Sequence, residues 1–359
     1  MARDRIYLDH AATTPVLAEA RSAIGEALEH WANPSSPHAD GRAARAALEE
    51  ARARIAEALG WRHDVILTSG ATEAIAIAAA RAGGGRRLLG ATEHDAVVAA
   101  MGADAEVIPV DERGLVDLAA LAQALGGGPA LVAIQQVNNE TGVIQPVAQI
   151  ADKVRATGSL LLADCAQGAG KIALPDADFI ALSAHKLGGP PGLGALLVKD
   201  IATLAPSGGQ EKGYRRGTEN LPAAAGLAAA LQSRAFADAM PRLTELRAQL
   251  EEAIASAGGL VVAGKSERIA TIGAYAMPGV SSASQLVQLD LTGIAVSAGS
   301  ACSSGSMKPS RVLEAMAVPP EIAGCVIRIS FGPDTSADDV DRMLTEWRRL
   351  AAKAGARAA

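Results

Sequence analysis

A chain of 359 residues is long enough for two domains, or for one large α/β unit with an appendage, and for a well-buried core. With 20% charged residues and a formal net charge of −6 it offers no basic face, which disfavours nucleic-acid partners. Met1-Ala2-Arg3-Asp4-Arg5 lacks the apolar core of a signal peptide, and no later run reaches transmembrane length, so a cytoplasmic chain without membrane association is expected.

The apolar fraction leans on alanine, and only 3% of residues are aromatic, so helices packed closely through small side chains are expected. Cys165, Cys302 and Cys325 are widely spaced and form no Cys-x-x-Cys pair, which points to free thiols rather than a disulfide framework or a zinc site.

In chain order, Ile6-Tyr7-Leu8-Asp9-His10-Ala11-Ala12-Thr13-Thr14-Pro15 reads as a short strand ending in a polar turn, followed by a helix over about 17–28. A helix over about 41–59 carries Leu48, Ile55 and Leu59 at helical spacing, and most of its arginines and glutamates are expected on a solvated face. Seven strand signals follow, at 65–68, 87–91, 106–110, 130–137, 159–163, 178–183 and 195–198, mostly separated by helical stretches. That alternation predicts an α/β fold with a mostly parallel seven-stranded sheet and helices on both faces. After the glycine-rich run 207–217, helical stretches are predicted over about 220–236 and 241–257. Strand signals at 260–262, 269–276 and 326–331 then surround helices near 284–291 and 310–317, and an amphipathic helix over about 336–353 closes the chain. The expected division is a large domain over 14–240 and a smaller α+β domain made of 1–13 and 241–359.

Four positions draw attention for their chemistry. Ala181-Leu182-Ser183-Ala184-His185-Lys186 runs an apolar strand into a lysine, and a glycine- and proline-rich turn follows. A lysine there suits Schiff-base formation with a carbonyl cofactor, although alone it reads more simply as a solvated surface lysine. Ser69-Gly70-Ala71-Thr72-Glu73 follows a strand and opens a helix, so the N–H groups of Ala71 and Thr72 and the Thr72 hydroxyl form either a phosphate cradle or an ordinary helix cap. Asp164 ends an apolar strand, as a cap or as the carboxylate that keeps a pyridine nitrogen protonated. His94 also follows a strand, where an imidazole stacks on an aromatic cofactor and moves protons, or simply packs. Together these four would converge on one edge of a parallel sheet, which chance explains far less readily than any one of them.

The chain resembles pyridoxal-phosphate-dependent cysteine desulfurases of the class V aminotransferase superfamily, in the branch that supplies sulfur for iron–sulfur cluster assembly and nitrogenase maturation. The resemblance runs from Tyr7-Leu8-Asp9-His10-Ala11-Ala12-Thr13-Thr14-Pro15 to Ile327-Arg328-Ile329-Ser330-Phe331-Gly332. Its most specific pieces are Thr68-Ser69-Gly70-Ala71-Thr72-Glu73, Val137-Asn138-Asn139-Glu140-Thr141-Gly142, Ser183-Ala184-His185-Lys186, Arg216-Gly217-Thr218-Glu219-Asn220 and Ser300-Ala301-Cys302-Ser303-Ser304.

The resemblance implies the fold type I architecture, pyridoxal 5'-phosphate as cofactor and L-cysteine as substrate. It also implies a homodimer and an acceptor or iron–sulfur scaffold protein for the sulfur. Lys186 would be the Schiff-base lysine that later removes the Cα proton, Asp164 the partner of the pyridine nitrogen, Gln167 the donor to the phenolate oxygen, and His94 the ring-stacking acid/base. Thr72, with Ser183 and His185, would hold the phosphate, and Thr218 would reach the phosphate of the neighbouring subunit. Asn139 and Arg328 would bind the substrate carboxylate, where an arginine fork suits bidentate recognition. Cys302, in a small, polar, glycine-rich run that reads as a loop, would take the sulfur as a persulfide.

The sequence departs from the family at Ala74-Ile75-Ala76-Ile77, which lacks polar residues, and at Cys165 and Ala166 beside the aspartate. It also ends without the longer tail that some relatives use to dock a scaffold. Rival readings are a selenocysteine lyase or small-amino-acid aminotransferase of the same superfamily, and an inactive sulfur-carrier subunit. A nicotinamide enzyme is more distant, since Gly83-Gly84-Gly85 lacks the G-x-G-x-x-G spacing.

Overall fold

The computed structural model describes residues 5–83, 85–299 and 310–358. The first half runs β1 (Ile6–Tyr7), α1 (Ala18–Glu29), α2 (Ala39–Ala58), β2 (Asp64–Thr68), α3 (Ala71–Arg81), β3 (Arg86–Gly90), α4 (Asp95–Met101), β4 (Glu106–Ile108), α5 (Leu118–Leu125), β5 (Ala130–Gln135), α6 (Val147–Ala156) and β6 (Leu160–Asp164). The second runs β7 (Phe179–Ser183), β8 (Gly194–Val198), α7 (Leu221–Gln232), α8 (Ala235–Ser256), β9 (Leu260–Val261), β10 (Ile272–Ala276), α9 (Ser282–Leu291), β11 (Ile294–Ala295), α10 (Arg311–Ala315), α11 (Pro320–Ala323), β12 (Val326–Ser330) and α12 (Ala337–Ala358).

The seven expected strands form one sheet in the order β2-β8-β7-β6-β5-β3-β4. Only β8 runs against its neighbours β2 and β7. The central strands β5, β7 and β8 are buried along their whole length, because helices cover both faces and each strand must be apolar on both sides. Alternate residues feed two cores: Leu161 and Ala163 point toward α1, α2, α5, α6 and α7, while Leu162 points toward α3 and α4. The small-residue expectation holds where α1 meets α7, since a Cβ on Gly226 would sit 2.7 Å from Ile24.

A second core gathers Ile6 and Leu8 with residues between 239 and 350, including Tyr275, Phe331 and Trp347. It supports an antiparallel three-stranded sheet, β12-β10-β9, and the parallel pair β1–β11. No helix among the described residues is long and apolar enough to cross a membrane, and none of their His, Cys, Asp and Glu groups gather as a metal site.

One expectation fails locally and another meets a single exception. The helical stretch expected over 220–236 stops at Gln232, because Arg234 takes a left-handed conformation with φ +53° that ends one helix and starts the next. Pro241 therefore lies inside α8 rather than at its start. On α2, Arg52 is not solvated: it is buried and donates Nη1 to Glu211 Oε2 at 2.6 Å and Nη2 to Oε1 at 3.1 Å. Glu211 Oε2 also accepts the Leu67 N–H at 2.8 Å, so this internal pair is fully hydrogen-bonded and ties the 207–217 segment to β2.

Candidate active site

The carboxyl ends of β2, β3, β5, β6 and β7 open on a cavity of about 750 Å³, where open α/β sheets place ligands. Its wall includes Ala71, Thr72, His94, Asn139, Asp164, Gln167, Ser183, His185, Lys186 and Arg328, ten positions singled out from the sequence. Parallel strands bring the first nine together because their turns fall on the same sheet edge, while Arg328 comes from β12 of the smaller antiparallel sheet.

Helix α3 starts at this wall with no side-chain cap; Glu73 instead turns back to accept the Ser69 N–H at 2.5 Å. The alternative of an ordinary side-chain cap is therefore absent, and the first-turn N–H groups are left for an anion. Gly194 allows the close approach: a Cβ there would lie 2.4 Å from the Leu182 carbonyl and 2.6 Å from the Gly70 Cα, so only glycine lets β8 pass under the turn.

Lys186 sits in a 3₁₀ turn directly after β7. Burial lowers its proton affinity, Asp164 opposes that, and Arg328 adds to it, so more free amine is present than in an ordinary lysine. Asp164 uses Oδ1 to accept the Ala166 N–H at 2.9 Å. His94 caps α4, its Nδ1 accepting the Ala96 N–H at 3.1 Å, which leaves Nε2 available to the cavity. Burial first, then Lys186, keep that imidazole below its usual proton affinity. His185 Nδ1 meets Thr13 Oγ1 at 3.1 Å, and its proton affinity is likewise lowered by burial and by Lys186 and Lys171.

Two residues differ in detail from expectation. Gln167 spends one N–H on the Ala11 carbonyl at 2.9 Å, while its buried Oε1 has no partner, so only the second amide hydrogen is available as a donor. Arg328 is buried, and its fork is partly engaged: Nη2 donates to Asp9 Oδ1 at 2.9 Å and Nη1 to the Asn139 carbonyl at 3.0 Å. A guanidinium buried this deeply requires a fixed counter-charge, which leaves Nε as the unpartnered donor. Thr218 is exposed and does not line the cavity of its own chain. Cys302 lies outside the described residues. Cys165 is fully buried, which pushes its thiol up, and Cys325 is also buried.

The structure adds residues that sequence reasoning missed. Glu93 and Glu140 both line the cavity, and burial holds both carboxyls above their usual range. Arg311 lines it too, pairing with Asp95 at 2.9 Å. Lys171 is buried behind the site with Nζ 4.7 Å from the Phe236 ring, and burial with Lys186 lowers it to about 7. Glu140 stood inside a motif already quoted and Glu93 lies next to His94, so their place was legible; Lys171, four positions after Gln167, carried no separate signal.

The family model described as aminotransferase class V matches residues 6–343. The chain belongs to the class V aminotransferase family. Among similar members, a cysteine desulfurase of Rhodobacter capsulatus is 38% identical, with 96% of each chain covered. The cysteine desulfurase IscS of Dictyoglomus turgidum is 35% identical, covering 97% of this chain and 95% of its own. The solved NifS-like protein of Rickettsia africae superposes with a TM-score of 0.87 at 30% identity, over 96% of this chain and 99% of that one. The class V fold thus accounts for the mostly parallel α/β sheet.

Proposed function

We propose that this class V member is a cytoplasmic, homodimeric cysteine desulfurase. It takes L-cysteine, releases L-alanine and leaves the sulfur as a persulfide on Cys302 for an acceptor such as an iron–sulfur scaffold protein, using pyridoxal 5'-phosphate. The observation that carries the reading is Lys186, an amine of lowered proton affinity beside Asp164 in the cavity, with an uncapped helix N-terminus on the same wall. The similarity to cysteine desulfurases selects this chemistry over amino transfer, which needs no protein thiol.

The residues present fit the cofactor. The open first turn of α3, with the Thr72 and Ser183 hydroxyls and His185, suits its phosphate; Asp164 suits a protonated ring nitrogen; Gln167 keeps one amide hydrogen for the phenolate oxygen; Lys186 would hold the aldehyde carbon. When bound, the cofactor would spread the negative charge that develops at the substrate Cα.

The chain's own groups perform the remainder. Arg328 and Asn139 orient the substrate carboxylate. Lys186, released to its neutral amine, takes the Cα proton. His94 Nε2 faces the cavity and moves protons there. The Cys302 thiolate attacks the substrate sulfur: an S–S bond forms, the C–S bond breaks, and the carbon fragment takes up protons and leaves as alanine. Thr218, exposed and outside its own cavity, is assigned to the phosphate of the second subunit. The same reading divides the chain into a cofactor-binding domain, 14–240, and a smaller one made of 1–13 and 241–359.

The test is the absorption spectrum of the purified protein with and without L-cysteine, with alanine and sulfide measured and sulfur on Cys302 sought by mass. Cys302→Ser is expected to keep the visible band and lose sulfide release; full activity in that variant refutes the assignment. Amino transfer to a keto acid in place of sulfide production would establish the aminotransferase alternative.

A further inference from the structure

Residues 210–215 form a tight turn in which Gln210 and Arg215 pair across the backbone. Within it Glu211 and Lys212 both take left-handed conformations, at φ +50° and +57°, which residues with a side chain adopt only where their surroundings hold them. What holds them is a set of clasps on either side of the turn between β2 and α3. On the strand side, Glu211 Oε2 accepts the Leu67 N–H at 2.8 Å, and Lys212 Nζ meets Asp64 Oδ1 at 2.6 Å. On the helix side, Arg215 Nε reaches both carboxylate oxygens of Glu73, at 3.0 and 3.2 Å, and Arg81 Nη1 donates to the Tyr214 carbonyl at 2.9 Å. Leu67 and Glu73 thus bracket the turn that brings Ala71 and Thr72 to the cavity wall.

Glu73 is the link between the two sides. Its Oε2 accepts the Ser69 N–H, so the turn and the Arg215 guanidinium meet on one carboxylate. Burial raises the proton affinity of that carboxyl, but the Ser69 N–H and Arg215 outweigh it and hold the group below its usual range, so it stays ionised. The two side chains are 20% and 30% exposed, which screens the pair less than one on the open surface. Without Arg215, an uncompensated carboxylate in the first turn of α3 would repel a phosphate at that helix N-terminus.

We infer that Arg215 is a positioning residue for the cofactor phosphate: through Glu73 it fixes the turn before α3 and cancels the charge that would oppose the anion. Arg215 does not itself line the cavity, so it acts only through its partner. The inference rests on the cofactor reading above.

The test is titration of the full chain, freed of bound cofactor, with pyridoxal 5'-phosphate and with pyridoxal, which lacks the phosphate. The visible band that each aldehyde forms with Lys186 reports its affinity. Arg215→Ala is expected to weaken binding of the phosphate ester roughly five- to fifty-fold and that of pyridoxal less than about twofold. Arg215→Lys keeps a charge with a single point of contact and should fall between parent and alanine variant. Because Arg215 acts through Glu73, adding Arg215→Ala to Glu73→Ala should weaken the ester by less than about a further twofold. Equal losses for the two aldehydes, or losses that multiply in the double variant, overturn the inference. Should Arg215→Ala not fold, Arg215→Gln must show the same selective loss, and its failure to do so overturns the inference as well. A parent chain that forms no band with either aldehyde overturns the cofactor reading and this inference with it, whereas a normal parent band with unchanged affinity in Arg215→Ala overturns the inference alone.

Discussion

Lys171→Met is expected to stabilise the protein, and by an amount that depends on pH. The Lys171 side chain is 5% exposed and has no carboxylate partner among the described residues; its ammonium packs against the Phe236 ring at 4.7 Å. Burial, reinforced by Lys186, lowers its pKa from 10.5 to about 7. At about 1.4 kcal/mol per tenfold change in proton affinity, that drop amounts to roughly 5 kcal/mol against the folded state. The Phe236 ring, which methionine would not engage as a cation, offsets about 1–2 kcal/mol of this. A net gain of about 3 kcal/mol follows for the nearly isosteric, uncharged side chain.

The sign is set by proton uptake. Between about pH 7 and pH 10.5 the unfolded chain holds a proton that the folded chain has released, so the stability of the parent protein rises with pH across that window. Below about 7 both states are charged and the full penalty is present. The advantage of methionine should therefore be greatest below pH 7 and shrink toward pH 10. Thermal melts of both proteins from pH 6 to pH 10 measure it, with a gain of roughly 5–10 °C at the acid end. A gain that does not vary with pH, or a loss at pH 6, would refute the reasoning.

Other consequences are more local. Gly142→Ala places a side chain at φ +78° with its Cβ 2.4 Å from the Ile272 carbonyl, and should cost about 2–4 kcal/mol; an unchanged urea midpoint would contradict this. Arg328→Lys keeps a positive charge but cannot serve Asp9 and the Asn139 carbonyl together, so KM for L-cysteine should rise about 10- to 100-fold, and an unaltered KM would remove Arg328 from the carboxylate site. Lys186→Ala should purify without the visible band and without alanine production; persistence of the band would show that another amine holds the cofactor.

The sheet was legible because each parallel strand carries apolar residues on both faces, as Leu161, Leu162 and Ala163 do, with turn residues between strands. The strand ends therefore located Lys186, Asp164, His94 and Thr72 before any coordinates. What escaped is what depends on a distant partner. Arg52 reads as a surface residue until Glu211, 159 positions away, is folded against it. The two-residue strand β11 exists only because β1 pairs with it, and nothing in Ile294-Ala295 alone announces that. Pro241 looked like a helix start because proline favours first turns, but the left-handed Arg234 had already set the boundary upstream. Glu140 was quoted as part of a motif, yet its junction with Ser310 joins residues 170 apart, beyond any local pattern.

The bond between Asp9 and Arg328 links residues 319 positions apart, and the Ala11 N–H bond to Ser330 Oγ spans the same distance. During synthesis the strands of the large sheet can assemble progressively, but Asp9 must wait until nearly the last stretch of the chain has emerged from the ribosome. Arg328, on the cavity wall, is thus installed last, and a truncated chain, however well its central sheet has formed, would lack that side of the cavity.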